Sequence, residues 1–232
     1  MQFLTSTVPT WIRQRAGRLT IAVLTLCVVL GALLIIVISG LNNTPKWWSK
    51  SDVILQGDSI AIQTAEQLEN AISTQLTQPR NQSQPRWAVA ITEQQANAWL
   101  AIRLVETVET HLGDETWPSN VDRIRVGLEN DRMLVGARVK HASGSMILWS
   151  RVNLIVDEQG DLFAAFEKVQ VGSTTIPNWL VEQLTKEYQF PNQTLKIGSG
   201  SLDLGDGRET QLLGAQVRGD QLELVLETRI ID

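Results

Sequence analysis

The run LTIAVLTLCVVLGALLIIVISGL, Leu19 to Leu41, is 23 residues long and carries no charge. At ~1.5 Å per residue, a helix of that length reaches roughly 34 Å, enough to cross a hydrocarbon core of about 30 Å with some tilt. The apolar part of a cleaved signal peptide is shorter, roughly 7–15 residues. The run is therefore read as a transmembrane helix. Arg13, Arg15 and Arg18 precede it, and Trp47 and Trp48 follow at the depth of an aromatic membrane anchor. The arginines and the α-amine outweigh Lys46 and Lys50, which keeps the N-terminus cytoplasmic and sends the rest of the chain across. Four segments result: a cytoplasmic N-terminus (1–18), the span (19–41), a polar juxtamembrane linker (42–52) and an extracytoplasmic domain (53–232).

The charge agrees with that division. Residues 1–50 hold five basic side chains and no acid, so everything after Lys50 sets all 25 acidic residues against fifteen basic ones, a formal charge of −10. Nucleic acid is a poor partner for such a surface, because phosphate contacts need Lys and Arg. Anionic headgroups repel it on average. Cys27 is the single cysteine, so no intrachain disulfide and no cysteine-based metal cluster forms. It lies in mid-span behind Leu26, where a lipoprotein wants a small residue, and reads as a small apolar side chain.

Beyond the linker the apolar period changes several times. DVILQGDSIAIQ (Asp52 to Gln63) alternates and predicts strand structure, and from Thr64 the positions Leu68, Ala71, Ile72 and Leu76 take helical spacing. Thr77 to Arg86 is polar, contains two prolines and predicts a loop. Trp87, Val89 and Ile91 alternate as a strand. Thr92 then stands three residues before Gln95, the spacing of a capping box. Ala96, Trp99, Leu100, Arg103 and Leu104 continue at helical spacing, with an apolar face wide enough to lie on a sheet.

From Val121 the period is two. Turns at Asn130–Asp131, His141–Gly144 and Asp157–Asp161 predict a four-strand antiparallel meander with hairpin connections. Val171–Ile176 reads as a strand end, and Pro177 suits the first turn of a helix. Two or three strands close the chain. In the last, Leu222, Leu224, Leu226, Thr228 and Ile230 face one way, and Glu223, Glu227 and Arg229 the other. The predicted class is α+β: a transmembrane helix, then one long curved antiparallel sheet packed with two or three helices.

The chain offers little chemistry. His111 and His141 lack a partner histidine or cysteine at ligand spacing, so no metal site is expected. DLGDGRE (Asp203 to Glu209) lacks the alternating acidic register of a calcium loop and reads as a turn. RGD (Arg218 to Asp220) reads as a hairpin. Neither a G-x-S-x-G elbow nor a phosphate-binding P-loop is present. The chain is read as a non-enzyme without a cofactor.

Apolar surface is what remains. If Met146, Leu148 and Val152 face the core, then Ile147, Trp149 and Ile155 share the opposite face with Arg151 and Asn153. That second face calls for a cover, because large exposed apolar patches are rare on soluble domains.

The order of ITEQQANAWLAIRL, then the hairpin IRVGLENDRMLVGARV, then VQVGSTTIPNWLVEQL resembles bacterial envelope proteins with tubular lipid-binding (BPI-like, TULIP-like) domains. The shared patterns are T-x-x-x-x-N, here Thr92 and Asn97, and V-x-x-G-x-x-x-I/L-P, here Val169, Gly172, Ile176 and Pro177. The resemblance covers roughly residues 53–230. It implies a domain at the cell envelope that binds membrane lipids or other apolar ligands in a groove between sheet and helices. Trp99, Trp149, Ile176, Trp179 and Leu180 are the expected lining of that groove. The alternative is a non-enzymatic accessory or assembly subunit, whose second apolar face and span dock onto another envelope membrane protein.

Overall fold

The computed structural model describes residues 43–50, 59–80, 83–111, 117–141, 144–177 and 194–231. The apolar run Leu19–Leu41, Arg13, Arg15, Arg18, Trp179 and Leu180 lie outside them. Among the described residues no helix is long and apolar enough to cross a membrane. The described chain is a sheet-rich α+β fold. Its helices are α1 (Lys46–Lys50), α2 (Ser59–Thr77), α3 (Glu93–Ile102) and α4 (Leu104–His111). Its strands are β1 (Arg86–Thr92), β2 (Val121–Glu129), β3 (Arg132–His141), β4 (Gly144–Val156), β5 (Leu162–Phe166), β6 (Gln170–Val171), β7 (Thr174–Thr175), β8 (Thr194–Gly198), β9 (Ser201–Asp203), β10 (Arg208–Arg218) and β11 (Gln221–Ile230).

The single curved sheet expected from sequence is two sheets. The larger has the order β2-β3-β4-β5-β8, with the β6–β7 hairpin attached to β4, and the smaller has the order β1-β11-β10-β9. All ladders are antiparallel. The meander β2 to β5 forms as its turns dictate. Asn130 and Asp131 both take positive φ, 51° and 60°, the two-residue turn whose twist matches its strands. The second sheet exists because β1 does not join the meander but pairs with β11 at the other end of the chain. Strand β10 of the smaller sheet lies near β4 and β3 of the larger.

Helix α2 begins at Ser59, five residues before the expected Thr64, and takes Ser59–Gln63 out of the predicted strand. The alternation misleads because Ile60 and Ile62 are exposed, while the buried stripe is made by Ala61, Ala65 and Leu68. Those positions lie four and three residues apart, one face of a helix. Small side chains let α2 and α3 approach closely: Ala65 and Ala98 are both fully buried. The pair is locked by Glu69, which accepts from Trp99 Nε1 at 3.1 Å and from Arg103 Nε at 3.1 Å.

Helix α3 starts as its sequence predicts. Thr92 Oγ1 accepts from the Gln95 amide at 3.2 Å, and the Gln95 side chain accepts from the Thr92 amide at 3.0 Å. Five residues after the cap, Asn97 is 4 % exposed and meets the outer edge of β2. Its Nδ2 donates to Val126 O at 2.7 Å, and its Oδ1 accepts from Val126 N at 2.9 Å. Glu93 Oε2 accepts from Leu128 N at 2.9 Å. Strand β2 is an edge strand, whose outward N–H and C=O groups need partners. One amide side chain serves it as a neighbouring strand would. Asn97→Ala should cost about 2–4 kcal/mol in urea unfolding, because it strands both a buried donor and a buried acceptor.

Across the β2–β3 ladder, Arg138 Nε and Lys140 Nζ reach the Asp122 carboxylate at 2.6 and 2.9 Å. The hydrogen bond from Lys140, with Arg138 beside it, holds the Asp122 carboxyl below the usual carboxylate range. A depressed folded value stabilises the protein above the unfolded value near 4 and loses that contribution as pH falls through the folded one. Asp122→Asn should therefore lower stability at pH 7 by about 1 kcal/mol. The gap to the parent should close below about pH 3 in paired urea titrations.

Candidate functional site

Strands β2, β3 and β4 carry one row of side chains on a common face. The registers Arg125↔Gly136↔Trp149 and Gly127↔Leu134 fix its members. Two of them are glycines in strand interiors, where a missing side chain marks a close approach. The approaching group is Trp47. A Cβ on Gly127 would come within 2.7 Å of Trp47 Cε3, and one on Gly136 within 3.0 Å of Trp47 Cη2. The ring also meets Trp48 and Trp149 edge-on, at centroid distances of 5.5 and 6.0 Å. Trp47, Trp48, Leu134 and Ile147 form one buried cluster with Trp149 packed against it.

Helix α1 brings those rings to the sheet. Pro45 ends the preceding chain, and its carbonyl accepts from the amides of Trp48 and Ser49 at 3.0 and 3.3 Å. At the other end Arg125, 2 % exposed, donates Nη1 to the Trp48 carbonyl at 3.0 Å. Its guanidinium carbon lies 5.2 Å from the Trp48 ring centroid. A cation at the C-terminal carbonyls of a helix satisfies groups that the helix itself cannot. Lys50 adds an exposed ion pair to Glu129 at 3.5 Å, worth little alone.

This arrangement corrects two expectations. Residues 46–50 are not a polar linker but a helix in the core. Trp47 and Trp48 are 5 % and 1 % exposed and lie against the sheet, not free to sit among headgroups. Two indoles bury more apolar area in a glycine-lined slot than at a half-wet interface. The apolar face around Ile147 and Trp149 thus has its cover, and the cover is the chain's own Lys46–Lys50 helix. Sequence reading passed over Arg125, Gly127 and Gly136. The signal was present: two strand glycines fall on the same face as Trp149.

The expected groove residues are held separately. Trp99 is tied to α2 through Glu69. Trp149 donates Nε1 to Gly172 O at 2.7 Å and belongs to the tryptophan cluster. Gly172, at φ 56°, turns the β6–β7 hairpin, and Ile176 N closes that hairpin on Val169 O at 2.9 Å. The V-x-x-G-x-x-x-I-P segment up to Ile176 is thus a small hairpin docked on β4. Between the helices and β2, a hollow lined by Leu100, Leu104, Trp117 and Ile124 has a volume of about 20 Å³, room for about one water. Trp117 crosses it to donate Nε1 to Val121 O at 2.8 Å. The helix–sheet interface is filled there. Among the described residues no cluster of histidine, cysteine and carboxylate side chains fits a metal ion.

No family model, no curated protein and no solved structure matches this chain.

The glycine slot has no slack, because Trp47 is boxed between Trp48 and Trp149. Gly127→Ala should destabilise the protein by about 1–3 kcal/mol and shift tryptophan emission to the red as the ring is lifted. Gly198→Ala, where an added Cβ meets nothing within 4 Å, should leave both unchanged. Equal behaviour of the two variants in fluorescence-monitored urea unfolding would refute the slot.

Proposed function

We propose that the chain is a non-enzymatic accessory subunit of an envelope membrane-protein complex, anchored by Leu19–Leu41 and held directly at the membrane surface. The observation that carries this reading is the burial of Trp47 and Trp48 in the domain. Four residues lie between Leu41 and Lys46, and the five steps reach roughly 18 Å at full extension. The end of the apolar run is thereby fastened to the sheet, and the domain works as a fixed platform. A lipid carrier needs reach and a hollow. The filled hollow beside β2 and the placement of Trp99 against α2, apart from Trp149 and the β6–β7 hairpin, speak for the accessory reading over the groove.

The tryptophans cover only part of their sheet face. Past Arg151 and Asn153, both bound to Glu167, Ile155 is 49 % exposed opposite Phe163. That uncovered end is the docking surface for the partner. A photo-crosslinker at Ile155, in membranes containing the full chain, should capture one protein at a saturating one-to-one ratio. Native mass spectrometry of the full chain released from detergent should give its bare mass. One tightly retained lipid per chain together with no crosslink at Ile155 would return the function to lipid binding.

A further inference from the structure

Strand β11 runs past the start of β1. The last bond between them is Thr228 N to Pro85 O at 3.0 Å, one residue before β1 begins. Beyond it the smaller sheet opens into a cleft of about 400 Å³, lined by Arg80, Arg208, Glu227, Thr228, Arg229 and Ile230 among others. Three guanidiniums around one opening are unexpected in a domain whose formal charge is −10.

The three are not equally committed. Arg208 is fully used. It binds Asp206 through Nε and Nη2, and it donates to Gln78 O and Thr77 O, both at 3.1 Å, closing the C-terminal end of α2. Arg229 gives Nε and Nη2 to Glu227. Its side chain is 56 % exposed, and its Nη1 has no partner among the described residues. Arg80 lies 4.6 Å from the Trp87 ring centroid and gives Nη2 to two oxygens of Gln75, at 2.8 and 2.7 Å. Its Nε is buried without a partner, and its Nη1 is unused among the described residues. The Trp87 ring is itself fixed by its Nε1 bond to Thr228 Oγ1 at 3.0 Å.

Arg86, outside the cleft lining, also binds Glu227 at 3.2 Å, and Glu209 stands opposite Arg229 in the β10–β11 register. Arg229, then Arg86, hold the Glu227 carboxyl below the usual range, and Arg208 does so for Asp206. Both acids stay ionised at neutral pH, so the spare capacity of the cleft is in the uncommitted donors of Arg80 and Arg229. A guanidinium fork suits carboxylates and phosphates alike. Spare donors on two separate guanidiniums favour the tetrahedral oxygens of a phosphate monoester over a planar carboxylate. The volume admits a phosphate with a small polar substituent.

We propose that this cleft binds a phosphate monoester group, with Arg80 and Arg229 reaching it from opposite walls and Arg208 holding those walls together. The group is carried either by a small soluble phosphate or by the headgroup of an anionic lipid.

The test uses the full chain in phosphatidylcholine nanodiscs, titrated calorimetrically with glycerol 3-phosphate. One saturable site is expected, weaker at higher salt. Arg80→Gln and Arg229→Gln should each weaken it about tenfold, the loss of one charge-assisted bond, with unchanged circular dichroism. Arg229 lies at the surface, so its variant tests the site even where Arg80→Gln perturbs Trp87. Discs doped with phosphatidic acid separate the sources: a titration lost there assigns the site to the headgroup, and one that persists assigns it to the soluble phosphate. The proposal is overturned if plain discs show no saturable binding and doped discs retain no phosphatidic acid on the protein. It is equally overturned if binding survives both substitutions intact.

Discussion

Two indole rings pressed onto two glycines set the conditions for the rest of the larger sheet. The contact between Trp47 and the backbone at Gly127 and Gly136 leaves no room for a side chain on either strand. It decides which face of β2, β3 and β4 is covered by α1. Arg125 makes the contact directional. A buried guanidinium is tolerable only with its hydrogen bonds in place, and one of its bonds is to the carbonyl of Trp48. Withdrawing α1 would therefore expose apolar rings and also strand a charge. Helix α1 is a component of the core, and its position relative to the sheet is fixed to within hydrogen-bond tolerance.

The parts of the fold written in local chemistry were legible in the sequence. The Thr92–Gln95 capping box, the Asn130–Asp131 turn and the alternation in β3, β4 and β11 are each contained within a few residues, and each formed as read. The parts that failed depend on partners far along the chain. Ser59–Gln63 alternates as a strand would, yet it is helical because Ala98 of α3 accepts the alanine stripe of α2. Trp47 and Trp48 sit where a membrane anchor sits, and only the glycines about 80 and 90 residues later show that a slot awaits them. The division into two sheets follows from β1 pairing with β11, which no local pattern announces.

Asn97 illustrates the same point at a single residue. Its place in T-x-x-x-x-N gave a resemblance, not a reason. The reason is geometric: a helix begun at Thr92 presents its fifth residue to the open edge of β2, and an amide is the side chain that can both donate to and accept from one strand residue. Glu93 extends the same service to Leu128. A sheet edge is closed here by a helix's polar side chains, without another strand and without burying unpaired backbone.

The pairing of β1 with β11 has a consequence in time. Arg86 lies opposite Glu227, so the smaller sheet joins residues about 140 positions apart, while the meander joins near neighbours. Contacts of long sequence separation form late, because the loop they close costs entropy before it is rewarded. The larger sheet can assemble as soon as its hairpins are available. The smaller one stays incomplete until β11 is available, with β1 lacking its ladder partner. The step that closes the smaller sheet therefore waits for β11.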